Sequence, residues 1–436
     1  MSSPNRSPAS KVTITVLTLL AAVSLLFFAL PATAVTNDPY FVCPGQWGLD
    51  RVGGEWAWAK SKGAGVIIAT VDSGVDLSHY DLKGTDKLLP GNDYIQNDSS
   101  ADDEHGHGTL IAGVAAARTS NGEGIAAIAP DAMVLPVKVF NAQGEANADD
   151  VADGIQWAVD EGERLKKPLV LNLSFTGIDP DEGVVDQLLT PGVLSAINNA
   201  ASRGAAVVVA SGNDGESTTA YDATRPGIAV VGAIGKDDKR ATFSNHGLGL
   251  DLVAPGVEVI STYWHKDRGS VVASTTGTSI SVPFVAGAAA LLMSPSGGGL
   301  TNTAAIQRLL DTAEDIGPAN EYGQGLLDVS KALGVKRETP TAPCPKPPRK
   351  TTVASVPSPT PSPSPSPTAS PSPLLLPPPG EPPVITQEGA VTGLAQGPED
   401  SGNNDAGPFS EPLRPVAGAL VGLVALMHAV RRFLLI

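Results

Sequence analysis

The 436-residue chain has only two cysteines, six histidines and 5% aromatic residues, and charged side chains make up just 17% of it. Two cysteines rule out a disulfide-dense small scaffold and are too few for a thiolate zinc site. Positive charge is also scarce, with 29 Lys and Arg against 45 Asp and Glu and a formal net charge of −16. That balance argues against nucleic-acid binding, which depends on neutralising phosphates. Proline is not scarce, but 22 of its 38 copies lie between Pro340 and Pro415. Globular and non-globular parts of the chain are therefore segregated, and whole-chain averages describe neither.

At the N-terminus, Arg6 and Lys11 precede an apolar run from Val12 to Leu30, followed by Pro31-Ala32-Thr33-Ala34. Basic start, apolar middle and small-residue A-x-A site read as a cleaved signal peptide over residues 1–34. An uncleaved anchor is the alternative, because the run approaches the roughly 20 residues of a spanning helix. Either reading exports the rest. A short extension, 35–45, would lead into a globular domain, 46–335. Residues 336–412 are rich in Pro and Ser, as in Pro357-Ser358-Pro359-Thr360-Pro361, and predict an extended disordered linker. Val416 to Val430 is apolar apart from His428 and is followed by Arg431-Arg432. This predicts a transmembrane helix over 413–432 with a cytoplasmic tail, 433–436, the arginines lying inside. A surface-lying or buried C-terminal helix is the alternative. Cys43 and Cys344 bracket the globular region, and in an oxidising compartment an even count of two predicts one disulfide between them.

Between Gly65 and Asp328, short β-branched runs alternate with helical patterns. Val66–Val71, Met133–Phe140, Leu169–Phe175, Ala205–Ala210 and Ile228–Ile234 read as strands buried on both faces. His107–Arg118, Ala148–Arg164, Pro191–Arg203 and Ser279–Met293 read as helices. The alternation predicts an α/β fold, three layers thick, with a mostly parallel central sheet covered by helices on both faces. Ligand sites in such folds gather at the carboxyl ends of the strands.

Four polar motifs fall in those places. Asp72 ends an apolar strand before Ser73-Gly74, where a carboxylate can be a turn former, a metal ligand or a catalytic group. His105-Gly106-His107-Gly108 opens a small-residue helix. Its i, i+2 histidines lack the same-face i, i+4 spacing of H-E-x-x-H metal sites. Asn213 lies in the turn Gly212-Asn213-Asp214, and such a turn alone decides nothing. Ser279 opens an Ala- and Gly-rich helix, where it serves as an N-cap or as a nucleophile at the positive end of the helix dipole. Asp76, Asp102, Asp103 and Glu104 read as a solvated acidic face, and His105 as an exposed loop residue.

Taken together, Asp72, His107, Asn213 and Ser279 in this chain order resemble the subtilisin-like serine proteases, the subtilases. The resemblance runs from Gln46-Trp47-Gly48-Leu49 to Tyr322-Gly323-Gln324-Gly325 and includes Phe243-Ser244-Asn245. It implies Ser279 as nucleophile, His107 as general base and then acid, Asp72 as the carboxylate orienting the imidazole, and Asn213 as a donor to the oxyanion. It also implies a substrate-binding wall of Ser174, Phe175 and Thr176, where Thr176 replaces a frequent Gly. No cofactor is implied, although Asp81 and Asn121 fall near positions that hold structural calcium in some relatives. Signal peptide, short extension, protease domain, Pro-rich linker and C-terminal helix together resemble mycosins, the membrane-anchored subtilases of type VII secretion in actinobacteria. That resemblance implies an extracellular domain tethered to the cell membrane, protein or peptide substrates and a membrane secretion complex as partner. The alternatives are a general surface protease and a mainly structural component of such a complex.

Overall fold

In the computed structural model, residues 36–41, 45–175, 189–217, 219, 221 and 225–337 are described. The expected signal peptide, disordered linker and C-terminal helix, with Thr176, Cys43 and Cys344, lie outside the described residues. Among the described residues, no helix is long and apolar enough to cross a membrane.

Two short helices, α1 (Trp47–Arg51) and α2 (Gly54–Ala57), lead into the first strand, β1 (Ile67–Asp72). There follow β2 (Asn92–Asp93), α3 (His107–Ala116), β3 (Met133–Lys138), α4 (Ala148–Leu165), β4 (Leu169–Leu173), α5 (Pro191–Ser202) and β5 (Ala206–Ala210). The rest comprises β6 (Ile228–Ile234), β7 (Leu252–Pro255), β8 (Val259–His265), β9 (Gly269–Thr275), α6 (Thr278–Met293), α7 (Asn302–Thr312), α8 (Ala319–Tyr322) and α9 (Val329–Ala332). Seven strands form one sheet in the order β2-β3-β1-β4-β5-β6-β7, and every pairing in it is parallel. The predicted parallel α/β architecture is the one observed. The antiparallel hairpin β8-β9 stands apart from this sheet.

Strand side chains alternate between two cores, as a period of two requires. Ile68, Val134, Val170, Val208 and Val231 join a core with Ile111 of α3 and Val285 of α6. Ile67, Ala69, Val71, Leu135, Leu171 and Val207 join another with Ile155 of α4 and Ile197 of α5. Helices α4 and α5 are amphipathic and capped by side chains. Asn147 accepts from the Asp149 N–H, and Thr190 from the Val193 N–H ahead of a proline at the first helical position. Helix α6 is different, since all 16 of its residues are buried. Its composition is apolar on every side, as expected of a helix running through a core.

The chain leaves β1 for β3 on one side and later returns to β4 on the other, so β1 is the point where strand order reverses. In open parallel sheets the crevice beyond the carboxyl ends at such a point is the usual binding place. Asp72, the last residue of β1, stands there.

Candidate active site

Asp72 is 1% exposed, and its carboxylate accepts the Nδ1–H of His107 at 2.8 Å through Oδ1 and 3.0 Å through Oδ2. Its Oδ1 also accepts the Ser73 N–H at 2.7 Å. Because a carboxylate oxygen can only accept, the proton of the neutral imidazole is placed on Nδ1. That leaves a lone pair on Nε2, which is buried and has no hydrogen-bond partner among the described residues. His107 opens α3, and that helix meets the end of β1 closely. A Cβ on Gly108 would lie 2.0 Å from the Gly74 carbonyl oxygen, so only glycine fits there. Burial, the largest single influence, lowers the basicity of His107. The charge and hydrogen bond of Asp72, with the charge of Asp103, outweigh it, so the imidazole is held above its ordinary value.

Ser279 is the second residue of α6 and is 6% exposed. Its backbone N–H belongs to the first turn, where no intrahelical acceptor exists. Pro283, four residues on, has no N–H to give the Ser279 carbonyl. Ser174 supplies the missing donor, its hydroxyl reaching that carbonyl at 2.8 Å while accepting from the Asn172 side chain at 2.8 Å. Asn213 approaches the same end of α6. Its Oδ1 accepts both the Thr278 N–H and the Thr278 hydroxyl at 2.9 Å, which fixes the amide orientation and leaves Nδ2 as a free-facing donor. A methyl group on Gly277 would come within 3.1 Å of the Ser279 hydroxyl and 3.9 Å of Asn213 Nδ2. The hydroxyl and the amide therefore face one small space.

Ser174 and Phe175, the described residues of the expected substrate-binding wall, both have buried side chains. The Phe175 ring packs against Phe140 at 5.7 Å between centroids. Asp102 and Glu104 are exposed, as a solvated acidic face would be, but Asp76 and Asp103 are each 2% exposed. Asp76 accepts from the hydroxyls of Ser78 and Ser270. His105 is half-buried rather than exposed, its ring 6.4 Å from that of His107 and its Nδ1 without a partner among the described residues.

Asp81 and Asn121 do meet, but not as a cation cradle. Asn121 Nδ2 donates to Asp81 Oδ1 at 2.9 Å, and the Ile125 N–H donates to Asp81 Oδ2 at 2.8 Å. The Asn121 oxygen is taken up by the Glu123 N–H. Donors occupy the oxygens that calcium would need, so these residues as arranged do not fit the ion. Among the described residues no cluster of three or more His, Cys, Asp or Glu side chains is placed to hold a metal.

The model of the Subtilase family matches residues 63–325. Thermitase of Thermoactinomyces vulgaris is 36% identical over 297 residues, covering 68% of this chain and 98% of that protein. Subtilisin BL of Lederbergia lenta is 38% identical over 287 residues, covering 66% and 97%. A solved protease structure from Pseudoalteromonas arctica superposes with a TM-score of 0.58 at 28% identity, covering 69% of this chain and 99% of that one.

Proposed function

We infer the role of the site from one premise: the chain belongs to the subtilase family and is a subtilisin-like serine protease acting on protein or peptide substrates. In our reading Ser279 is the nucleophile, His107 the base, Asp72 its orienting carboxylate and Asn213 an oxyanion donor. The observation that carries this reading is the Asp72–His107 pair, which leaves the buried Nε2 unprotonated and without a partner among the described residues.

The chemistry follows from those roles. The Ser279 hydroxyl oxygen bonds to the peptide carbonyl carbon as its proton passes to His107 Nε2, and Asp72 stabilises the resulting imidazolium. The carbonyl oxygen takes up the negative charge within reach of Asn213 Nδ2–H and the Ser279 N–H. Collapse breaks the C–N bond, and His107 returns the proton to the departing amine, leaving an acyl ester on Ser279. Water, deprotonated by His107, then hydrolyses that ester and regenerates the hydroxyl.

The finer reading is a mycosin-like, membrane-anchored protease on the extracellular side, acting on exported proteins within a type VII secretion complex. Its support is the order of segments in the sequence: a signal peptide over 1–34, a linker over 336–412 and an apolar segment over 413–432 ending in Arg431 and Arg432. The test uses the full chain in its own membranes. A fluorophosphonate probe labels wild type at Ser279 and leaves Ser279→Ala unlabelled, and absence of labelling in a folded wild-type protein would refute the nucleophile assignment. Membrane fractionation and an export assay on the same pair test the rest. Wild type recovered only as a soluble protein, or export indifferent to deleting the whole chain, would sink the secretion reading. Export retained in Ser279→Ala but lost on deletion would favour the structural role.

A further inference from the structure

Four residues before His107 lies a second buried carboxylate with no basic side chain against it. Asp103 is 2% exposed. The nearby Lys138 is engaged with Asp93 at 3.3 Å and Glu104 at 2.9 Å. Five donors surround Asp103 instead. Oδ1 accepts the Ser73 hydroxyl at 2.9 Å, the His105 N–H at 2.9 Å and the Gly106 N–H at 2.8 Å. Oδ2 accepts the Thr109 N–H at 2.9 Å and the Thr109 hydroxyl at 2.5 Å. Burial, the largest influence, raises the Asp103 carboxyl, and the donors from Gly106, Thr109 and His105 pull it back; a set made only of donors suits the ionised carboxylate, because a protonated carboxyl would have to displace one of them.

Ser73 links this group to the first carboxylate. Its backbone N–H donates to Asp72 and its hydroxyl to Asp103, while its oxygen accepts the Gly108 N–H at 2.9 Å. Asp103 thereby ties the first turn of α3 to the end of β1, on which the Asp72–His107 hydrogen bond depends. Thr109 extends the tie, its hydroxyl oxygen accepting the Asp76 N–H and its carbonyl accepting the Thr262 hydroxyl of β8.

We propose that Asp103 is a positioning residue for the hydrolytic reaction, a buried anion that sets His107 against Asp72 and favours the imidazolium formed when Ser279 gives up its proton. The proposal rests on reading His107 as the base. A helix cap alone would explain the backbone hydrogen bonds, but not why an unpaired charge is kept beside a histidine that must become positive. The charged and titratable groups facing His107 are Asp72 from β1, Asp103 from the loop before α3, and His105. Tyr263 of β8 closes the cluster, its hydroxyl directed at the His105 carbonyl at 3.4 Å. Burial and then Asp103 push that phenol up to about 12, so it stays neutral. The charge of Asp103 also acts to raise His107.

The test is a pH profile of kcat/KM on a chromogenic peptide with the full-length enzyme, paired with fluorophosphonate labelling and circular dichroism. Asp103→Asn should lower kcat about tenfold with little change in KM and move the acid limb to lower pH by about half a unit or more. Thr109→Val removes one of the donors that hold the Asp103 carboxyl down, so its acid limb should move in the same direction as that of Asp103→Asn, by less. A folded Asp103→Asn enzyme with an unmoved acid limb overturns the proposal, as does a Thr109→Val enzyme whose limb stays in place or rises. If the Asn enzyme does not fold, Thr109→Val decides alone. Wild type that fails to label at Ser279 overturns the reading of the site as well, whereas a labelled enzyme whose acid limb ignores these changes overturns only the role of Asp103.

Discussion

The Ser174 hydroxyl donates to the Ser279 carbonyl at 2.8 Å, filling the place left by the N–H that Pro283 lacks. A proline inside a helix normally leaves an orphaned acceptor one turn back. Here that acceptor belongs to the proposed nucleophile, and a side chain from the end of β4 satisfies it. The bond spans two elements that meet across the core and holds the start of α6 against the sheet.

Replacing Ser174 by Ala should therefore affect both stability and rate. A buried carbonyl without its partner costs about 1 to 3 kcal/mol. Thermal unfolding of Ser174→Ala in a Ser279→Ala background should show a Tm lowered by a few degrees, about what a 1 kcal/mol loss produces in a domain of this size. In the active enzyme kcat should fall more than KM rises, since the change displaces the attacking oxygen rather than the substrate. Equal Tm values for the two proteins would show that the bond carries no net weight.

The same end of α6 predicts how oxyanion stabilisation fails. Asn213→Ala removes Nδ2 and should lower kcat by about 10² to 10³, a magnitude known from subtilisin itself, a member of the same family. Gly277→Ala should do comparable damage by another route. Its methyl group would stand 3.1 Å from the Ser279 hydroxyl, in the space that Asn213 Nδ2 also faces. Steady-state kinetics distinguish the two: Asn213→Ala leaves KM nearly unchanged, whereas Gly277→Ala raises KM and slows fluorophosphonate labelling. A Gly277→Ala enzyme as reactive as wild type would mean that the space is not where the reacting carbonyl sits.

The parallel sheet was legible because its strands are unbroken β-branched runs, as in Ala206–Ala210, which only burial on both faces explains. Helices α4 and α5 were legible as helical patterns over 148–164 and 191–203, and the structure adds their side-chain caps at Asn147 and Thr190. The hairpin β8-β9 did not, because Ser261-Thr262-Tyr263-Trp264-His265 mixes polar and aromatic residues without a clean period of two. Asp103 was misread for a plainer reason. It stands between Asp102 and Glu104, which face solvent, and its burial depends on a hydroxyl from Ser73, thirty residues away in sequence. Donors that arrive from another element leave no trace in local sequence. The orientation of Asn213 is of the same kind, set by Thr278.

Activity should depend on pH through His107 with a definite sign. Asp72 and Asp103 outweigh burial and hold the imidazole above its ordinary value near 6.5. The base is competent only when neutral, so kcat/KM should rise with pH through an apparent value above that figure. For stability the sign is opposite. A raised His107 favours the folded state at low pH, an advantage complete below the unfolded value and lost as pH rises through the folded one. Asp72→Asn should move the acid limb down and cut kcat severely, since the amide both loses the charge and permits the wrong tautomer. An acid limb below 6 in wild type would contradict the dominance of the two carboxylates.

Asp81 carries a separate pH signature, away from the catalytic groups. Burial, the largest influence, raises its carboxyl; Asn121 and Ile125 pull it back, and Asp38 and Glu123 push it further, to about 7. The unfolded chain releases this proton near 3.8, so between those values the folded protein holds more protons than the unfolded one. Stability from this group therefore falls as pH rises from about 4 to 7, and the full penalty, up to about 4 kcal/mol, is present above that range. Other groups also titrate over this interval, including His107, so the wild-type curve alone does not isolate the effect. Asp81→Asn does isolate it: whatever constant offset the amide introduces, its Tm lacks this dependence. Measured in the Ser279→Ala background, the Tm of the Asp81 protein minus that of its Asn variant should shrink steadily between pH 5 and pH 8. A difference that stays constant across that interval would mean that Asp81 is ionised throughout, held charged by the Asn121 and Ile125 donors alone.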